Sequence, residues 1–261
     1  MLERFRRAKA HEIAALEDLA ARGALPPPLL GYRPPFVETL RARRASLPAV
    51  IAEYKRASPS EGDINPGAMP EEVAAAYAQA GAGAISVLTD REYFKGELSF
   101  LDRMIGPGLP LLRKDFLFHP LQVEQSAATP ASAVLLIARM LTDNVLKELI
   151  RLCAKLALTP VVEIFDTLDL RRAKADGATV IQVNNRDLQT MRIDMDTSRR
   201  LIAAREPEEF WITASGIRSR DDLLAAAVSG FDAALIGTSL MRGNDPGAAL
   251  AALLQGEESR A

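Results

Sequence analysis

The chain holds one cysteine, Cys153, and two histidines, His11 and His119, in 261 residues. A single thiol excludes an internal disulfide and fits a reducing compartment, so a cytoplasmic location is expected. Three such side chains, scattered along the sequence, are too few for a zinc site of the usual ligands, and no metal is expected. Neither sign of charge is in excess: 32 Lys and Arg stand against 34 Asp and Glu, a net charge of −2. That removes the basic field on which nucleic-acid binding depends. No apolar run approaches the ~20 residues of a membrane helix. The opening Met1–Arg7 leads into a charged amphipathic stretch, not the apolar core of a signal.

What is present is ordinary globular composition, 48% hydrophobic and 25% charged. A chain of this length can bury a large core without metal or disulfide. Short runs rich in Val, Ile and Leu recur at Ala49–Lys55, Ala84–Thr89, Leu109–Phe116, Ala133–Ala138, Pro160–Phe165, Thr179–Arg186, Phe210–Gly216 and Ala233–Leu240. Helix-like stretches lie between them, among them Pro70–Ala80, Asp143–Leu156, Asp166–Ala175, Asp221–Val228 and Pro246–Leu254. Eight strand candidates alternating with helices point to an α/β protein, a closed (β/α)8 TIM barrel. An open doubly wound sheet is the alternative, weakened because no Gly-x-Gly-x-x-Gly turn follows an early strand.

Residues 1–48 precede the first strand and form an N-terminal helical extension; 49–261 form the barrel. The extension opens with Leu2, Phe5, Ile13, Leu16 and Leu19 at roughly helical spacing. Glu3, Glu12, Glu17 and Asp18 argue against a helix lying on a membrane and for one docked on the protein. Pro26–Pro28 and Pro34–Pro35 then break and stiffen the chain before a second helical stretch near Phe36–Ala45. A linker to a missing domain is the other reading of this segment. Its own apolar face favours packing on the barrel.

Polar residues gather where strands end, the end that carries the active site in such barrels. Glu53 and Lys55 are two apart on strand one and share a face. Lys114 and Asp115 end strand three, and Glu163 interrupts the apolar run Val161–Phe165. Asn184 and Arg186 share a face at the end of strand six. A carboxylate inside an apolar run must be partnered or have a raised pKa. Two carboxylates and two lysines at one mouth suit acid–base chemistry near neutral pH. A structural ion pair of Glu163 with Lys55 or Lys114 is the competing explanation. Asp115 reads as a supporting carboxylate, His119 as part of a helix-entry turn, and Cys153 and Trp211 as packing residues. Ser215–Gly216 and Gly237–Thr238 end strands seven and eight, where free N–H groups can cradle a phosphate and glycine lets it approach.

Ala52–Gly62, Ser86–Thr89 with Phe94–Gly96, Arg113–Phe116, Val162–Glu163, Asn184–Leu188, Ser215–Ile217 and Leu235–Gly237 resemble, in order, the motifs of the indole-3-glycerol phosphate synthase family. The resemblance spans about residues 3–254. It implies conversion of 1-(2-carboxyphenylamino)-1-deoxyribulose 5-phosphate to indole-3-glycerol phosphate in tryptophan biosynthesis, by ring closure, decarboxylation and dehydration, with no cofactor. On that resemblance Lys114 is the general acid at the ketone. Glu163 and Lys55 transfer protons in the dehydration, and Glu53 positions the lysines. Asn184 and Arg186 hold polar groups of the substrate. Ser58, Ser215, Gly216, Gly237 and Thr238 bind substrate, the last four at its phosphate. The expected partner is a small sugar phosphate, with neither nucleic acid nor membrane, and the chain is expected to be a monomer or weak oligomer.

Two positions depart from the family pattern. Ala214 stands where the family usually has glutamate before Ser-Gly-Ile, and Glu61 where lysine is frequent. The loss at Ala214 leaves open a paralogue acting on a modified arylamine sugar phosphate. A non-catalytic barrel serving as an interaction subunit is a third reading; retention of Glu53, Lys55, Lys114 and Glu163 together argues against it.

Overall fold

The computed structural model describes residues 2–255, apart from the side chain of Leu2. Eight strands close into one parallel barrel: β1 (Ala49–Tyr54), β2 (Ala84–Leu88), β3 (Leu111–Lys114), β4 (Ala133–Ile137), β5 (Thr159–Ile164), β6 (Val180–Asn184), β7 (Phe210–Ala214) and β8 (Ala233–Ile236). Each strand pairs with its neighbours in chain order, and β8 returns to β1 with Ala233 opposite Ala49. Closure excludes the open sheet.

The strands are largely apolar because both faces are covered. Inward residues such as Ile51, Leu112, Leu135, Val161, Ile212 and Leu235 fill the barrel. Outward Val50, Val87, Val134, Val162 and Val183 meet the helices. Helices start on side-chain caps: Thr142 accepts the Val145 N–H, Asp166 those of Leu168 and Asp169, and Ser219 that of Asp222.

All eight expected strands exist, but their ends differ. The runs expected to reach Arg186, Gly216 and Leu240 stop at Asn184, Ala214 and Ile236. After β7 the cause is conformational: Ser215 and Gly216 take φ of 66° and 97°, which no strand accommodates. After β8 the chain turns at once into the helix Thr238–Met241. The third strand spans only Leu111–Lys114 of the expected Leu109–Phe116. Short helices at Arg91–Phe94 and Phe100–Arg103 and a hairpin pairing Ala57–Ser58 with Gly62–Asp63 were not signalled, being too brief to show a period.

The extension touches both ends of the barrel. Helix α1 (Leu2–Ala21) packs on the helix Pro120–Ala127 and brings Phe5 onto Phe116 and Tyr93, with ring centroids 4.1 and 4.8 Å apart. Helix α2 (Phe36–Arg43) buries Phe36 and Leu40 at the opposite end, where Leu40 packs over Gly83 just ahead of β2. The proline-rich connection runs down one side: Leu29 N–H donates to Ala127 O at 2.8 Å and Arg33 Nε to Thr129 O at 3.2 Å. β1 begins directly after the extension, and residues 256–261 of the 49–261 span lie outside the described residues. Among the described residues no helix is long and apolar enough to cross a membrane.

Candidate active site

Inward residues of alternate strands share one height in a closed barrel. On the odd strands the uppermost such layer is Glu53, Lys114, Glu163 and Ala214, and all but Lys114 are at most 4% exposed. Glu53 lies between the two lysines: Oε1 is 2.9 Å from Lys55 Nζ and Oε2 is 3.2 Å from Lys114 Nζ. Burial alone would raise the Glu53 carboxyl, but the facing ammonium groups outweigh it and hold its pKa at about 2. Glu163 makes no ion pair within contact distance among the described residues, which removes the structural-pair explanation. It accepts a hydrogen bond from Gln182 Nε2 and faces Asn184. Burial drives its pKa above the ordinary value against the pull of Lys114. Lys114 is itself buried, which lowers its pKa, yet Glu53 and Glu163 together raise it, so it stays charged at neutral pH. Two carboxylates pushed in opposite directions beside a charged lysine are an arrangement that can divide acid and base roles between them.

The cavity above this layer has two characters. One wall is apolar: Leu88, Phe94, Phe116, Leu135 and Ile137, with Phe5 of α1. The other side carries Ser58, Arg186, Ser215, Gly216, Gly237 and Thr238, joined by Arg218, Ser239 and Arg242. Every residue expected in the site from sequence therefore lines one cavity. Asn184 Oδ1 accepts from Ser215 Oγ at 2.9 Å and from the Arg186 N–H at 3.0 Å, so it fixes the turn after β7 to the end of β6. Ser58 Oγ accepts the Glu61 N–H at 3.2 Å within the hairpin.

The two glycines have reasons beyond ligand approach. A Cβ on Gly237 would lie 2.3 Å from Glu53 Oε1 and 3.0 Å from Glu53 Cβ. A Cβ on Gly216 would lie 2.3 Å from Met195 Sδ. Each glycine makes room for the protein's own side chains, and the one on β8 makes room for the carboxylate between the lysines. The bland readings hold elsewhere. His119 Nδ1 accepts the Leu121 N–H at a helix start, Cys153 is buried with its thiol pushed up to about 12 by burial, and Trp211 is fully buried.

Asp115 supports the site through a network that the sequence reading missed. Its carboxylate meets Lys9 Nζ at 2.7 Å, Arg113 Nη2 at 3.1 Å and the Phe116 N–H at 2.8 Å. Lys9, from α1, also meets Glu12 at 3.0 Å and Asp90 at 3.1 Å. A signal for Lys9 was available. Phe5, Lys9, Glu12 and Leu16 fall on one stripe of α1, so a lysine lies on the face that docks. Arg113, 1% exposed, gave none, because an arginine pointing outward from a strand looks solvated until helices cover it.

The closed parallel barrel defines the chain as a TIM-barrel protein, and the lysines and carboxylates paired at its C-terminal mouth are suited to acid–base chemistry. The sequence profile for indole-3-glycerol phosphate synthase matches residues 6–253. Among relatives of that name, the protein of Desulfosudis oleivorans is 46% identical over 213 residues, 81% of this chain and 81% of that one. That of Aquifex aeolicus is 43% identical over 84% of this chain and 86% of its own. That of Mycobacterium ulcerans is 39% identical over 93% and 86%. The chain belongs to the indole-3-glycerol phosphate synthase family. Likeness to a solved 3-hexulose-6-phosphate synthase from Salmonella typhimurium extends to the barrel alone, with TM-score 0.62 and 15% identity over 80% of this chain and 100% of that one.

Proposed function

We propose that the layer Glu53, Lys114 and Glu163, with Lys55, carries out indole ring formation on 1-(2-carboxyphenylamino)-1-deoxyribulose 5-phosphate. The reaction is the family's carboxy-lyase step of tryptophan biosynthesis. The observation that carries this assignment of roles is geometric: Glu53 lies 2.9 and 3.2 Å from the ammonium groups of Lys55 and Lys114, whereas the buried Glu163 accepts from Gln182 and makes no ion pair among the described residues, a difference that displaces the two carboxyls in opposite directions. The apolar wall from β2–β4 suits the arylamine ring, and the cationic, glycine-bearing side from β6–β8 suits the phosphate. Between them the ring carbon that bears the carboxylate attacks the ketone carbon. Lys114, held by Glu53, protonates the ketone oxygen as the bond forms. Carbon dioxide leaves that ring carbon and aromaticity returns. Lys55 then gives a proton to the departing hydroxyl, and Glu163 takes one from the adjacent methylene, so that water is lost and indole-3-glycerol phosphate remains. Asn184 and Arg186 hold polar groups of the substrate, and Ser58, Ser215, Gly216, Gly237 and Thr238 complete the phosphate side. Residues 1–48 and 49–261 act as one unit, because Phe5 forms part of the cavity.

The test is absorbance of indole-3-glycerol phosphate formed from that substrate by the purified chain, with carbon dioxide released in equal amount. No product with a folded protein overturns the proposal. One observation favours a second reading, a modified arylamine: Ala214, 2% exposed, occupies the layer of Glu53, Lys114 and Glu163 with a methyl group. If the alanine is simple drift, Ala214→Glu keeps or raises kcat/KM on the standard substrate. If the site is built around alanine, the same change lowers it there and lowers it further on a ring-substituted analogue.

A further inference from the structure

The hairpin after β1 carries Glu61 at its turn, and the carboxylate reaches the segment that follows the neighbouring strand, β8. Arg242 Nη2, at the end of the helix Thr238–Met241, donates to Glu61 Oε2 at 2.6 Å, joining residues 181 apart. Asn65 Nδ2 adds a contact to Gly243 O at 3.3 Å. Glu61 and Arg242 both line the cavity on its cationic side, with Arg186, Arg218 and Lys55. Arg186 and Lys55 act on the Glu61 carboxylate along with Arg242, and together they hold its pKa below the ordinary range. An internal carboxylate therefore sits among the cations that face an incoming phosphate.

We propose that Glu61 is an affinity-setting residue of the phosphate side: its carboxylate holds Arg242 in the free protein, and the substrate phosphate must displace it to gain that arginine. The proposal rests on the reading that this side of the cavity takes the phosphate. No bond is made or broken; one ion pair exchanges for another. The pair is partly exposed, with Arg242 63% and Glu61 30% exposed at the side chain, so each exchange partner is screened and the effect is modest. It also weakens as salt rises.

The same hairpin supplies an internal control. Asp63 has the same charge but pairs with Lys95 at 2.5 Å and does not line the cavity. The experiment measures inorganic phosphate in two ways on the full chain: directly by calorimetry, and as an inhibitor competing with the carboxyphenylamino substrate. Glu61→Gln should bind phosphate about two- to five-fold more tightly than wild type, a gain that shrinks at high salt. Asp63→Asn should leave affinity unchanged. In an Arg242→Gln background the gain from Glu61→Gln should disappear, because the two residues act as a pair. Equal tightening by Glu61→Gln and Asp63→Asn would overturn the proposal, as would a full gain without Arg242 or no gain at all. Phosphate that binds wild type without competing with substrate would overturn the phosphate reading itself, and this proposal with it.

Discussion

At the scale of single residues the proposed division of roles rests on unequal surroundings. Glu53 and Glu163 are both buried, but only Glu53 has lysines on two sides. Lys114→Met should therefore keep the fold and most substrate affinity yet lose turnover by ~10²–10⁴-fold, the usual loss for a positioned general acid. Steady-state kinetics within threefold of wild type would remove Lys114 from that role. Glu163 gives a pH signature. Its pKa is raised, so as pH falls from neutral it becomes protonated sooner than an ordinary carboxylate, and a base in that form no longer accepts a proton. The acid limb of kcat should lie above the ordinary glutamate value of ~4.3 and should vanish from the residual activity of Glu163→Gln. A limb that persists in the variant belongs to another group. These residues were legible in the sequence because a charge inside an apolar strand is conspicuous. Arg113 and Arg242 were not, since a charged residue that points out of a strand or ends a helix looks solvated until its distant partner is known.

Among elements, strand existence was legible because each strand is largely apolar on both faces, whereas strand ends were not, because backbone torsions set them. Gly237 illustrates the difference. Phosphate approach to the backbone, the reason sequence offers for a glycine there, predicts that Gly237→Val raises KM with little change in kcat. The coordinates add the Glu53 carboxylate where the new side chain would go. Gly237→Val should then push Glu53 off the lysines and lower kcat as well as raise KM, with an overpacking cost of about 1–3 kcal/mol in stability. An unchanged kcat with a raised KM would show that Glu53 moves aside without consequence. Gly216 is a similar case just after β7, required by the segment that carries Met195 and by its own φ of 97°.

Over the whole molecule the extension joins the two ends of the barrel, and Lys9 is where that joint is charged. The lysine lies 2.7 Å from Asp115 and 3.1 Å from Asp90, with all three side chains at most 5% exposed. Burial works against its charge, but the carboxylates raise its pKa well above the ordinary lysine value. Removing Lys9 leaves the buried Asp90 without a cation and Asp115 with Arg113 alone, and breaking a buried pair typically costs about 3–5 kcal/mol. Lys9→Met keeps the length and apolar stem of the side chain, so its effect isolates the charge. The variant should melt ~10 °C below wild type. Lys9→Met with Asp90→Asn should melt higher than Lys9→Met alone, because Asp90 has no other cation at ion-pair distance among the described residues and its stranded charge is gone. The loss should also diminish at acid pH, where the unpaired Asp90 protonates, its pKa being raised by burial. Activity should follow through α1 and not through the catalytic layer. Loosening the helix withdraws Phe5 from the apolar wall, so KM should rise while the pH profile of kcat keeps its limbs. A melting point equal to wild type would mean that the carboxylates find other partners and that Lys9 does not hold the extension. A shifted kcat profile would mean instead that the network acts on Lys114 through Arg113 and Asp115, its neighbours in the chain.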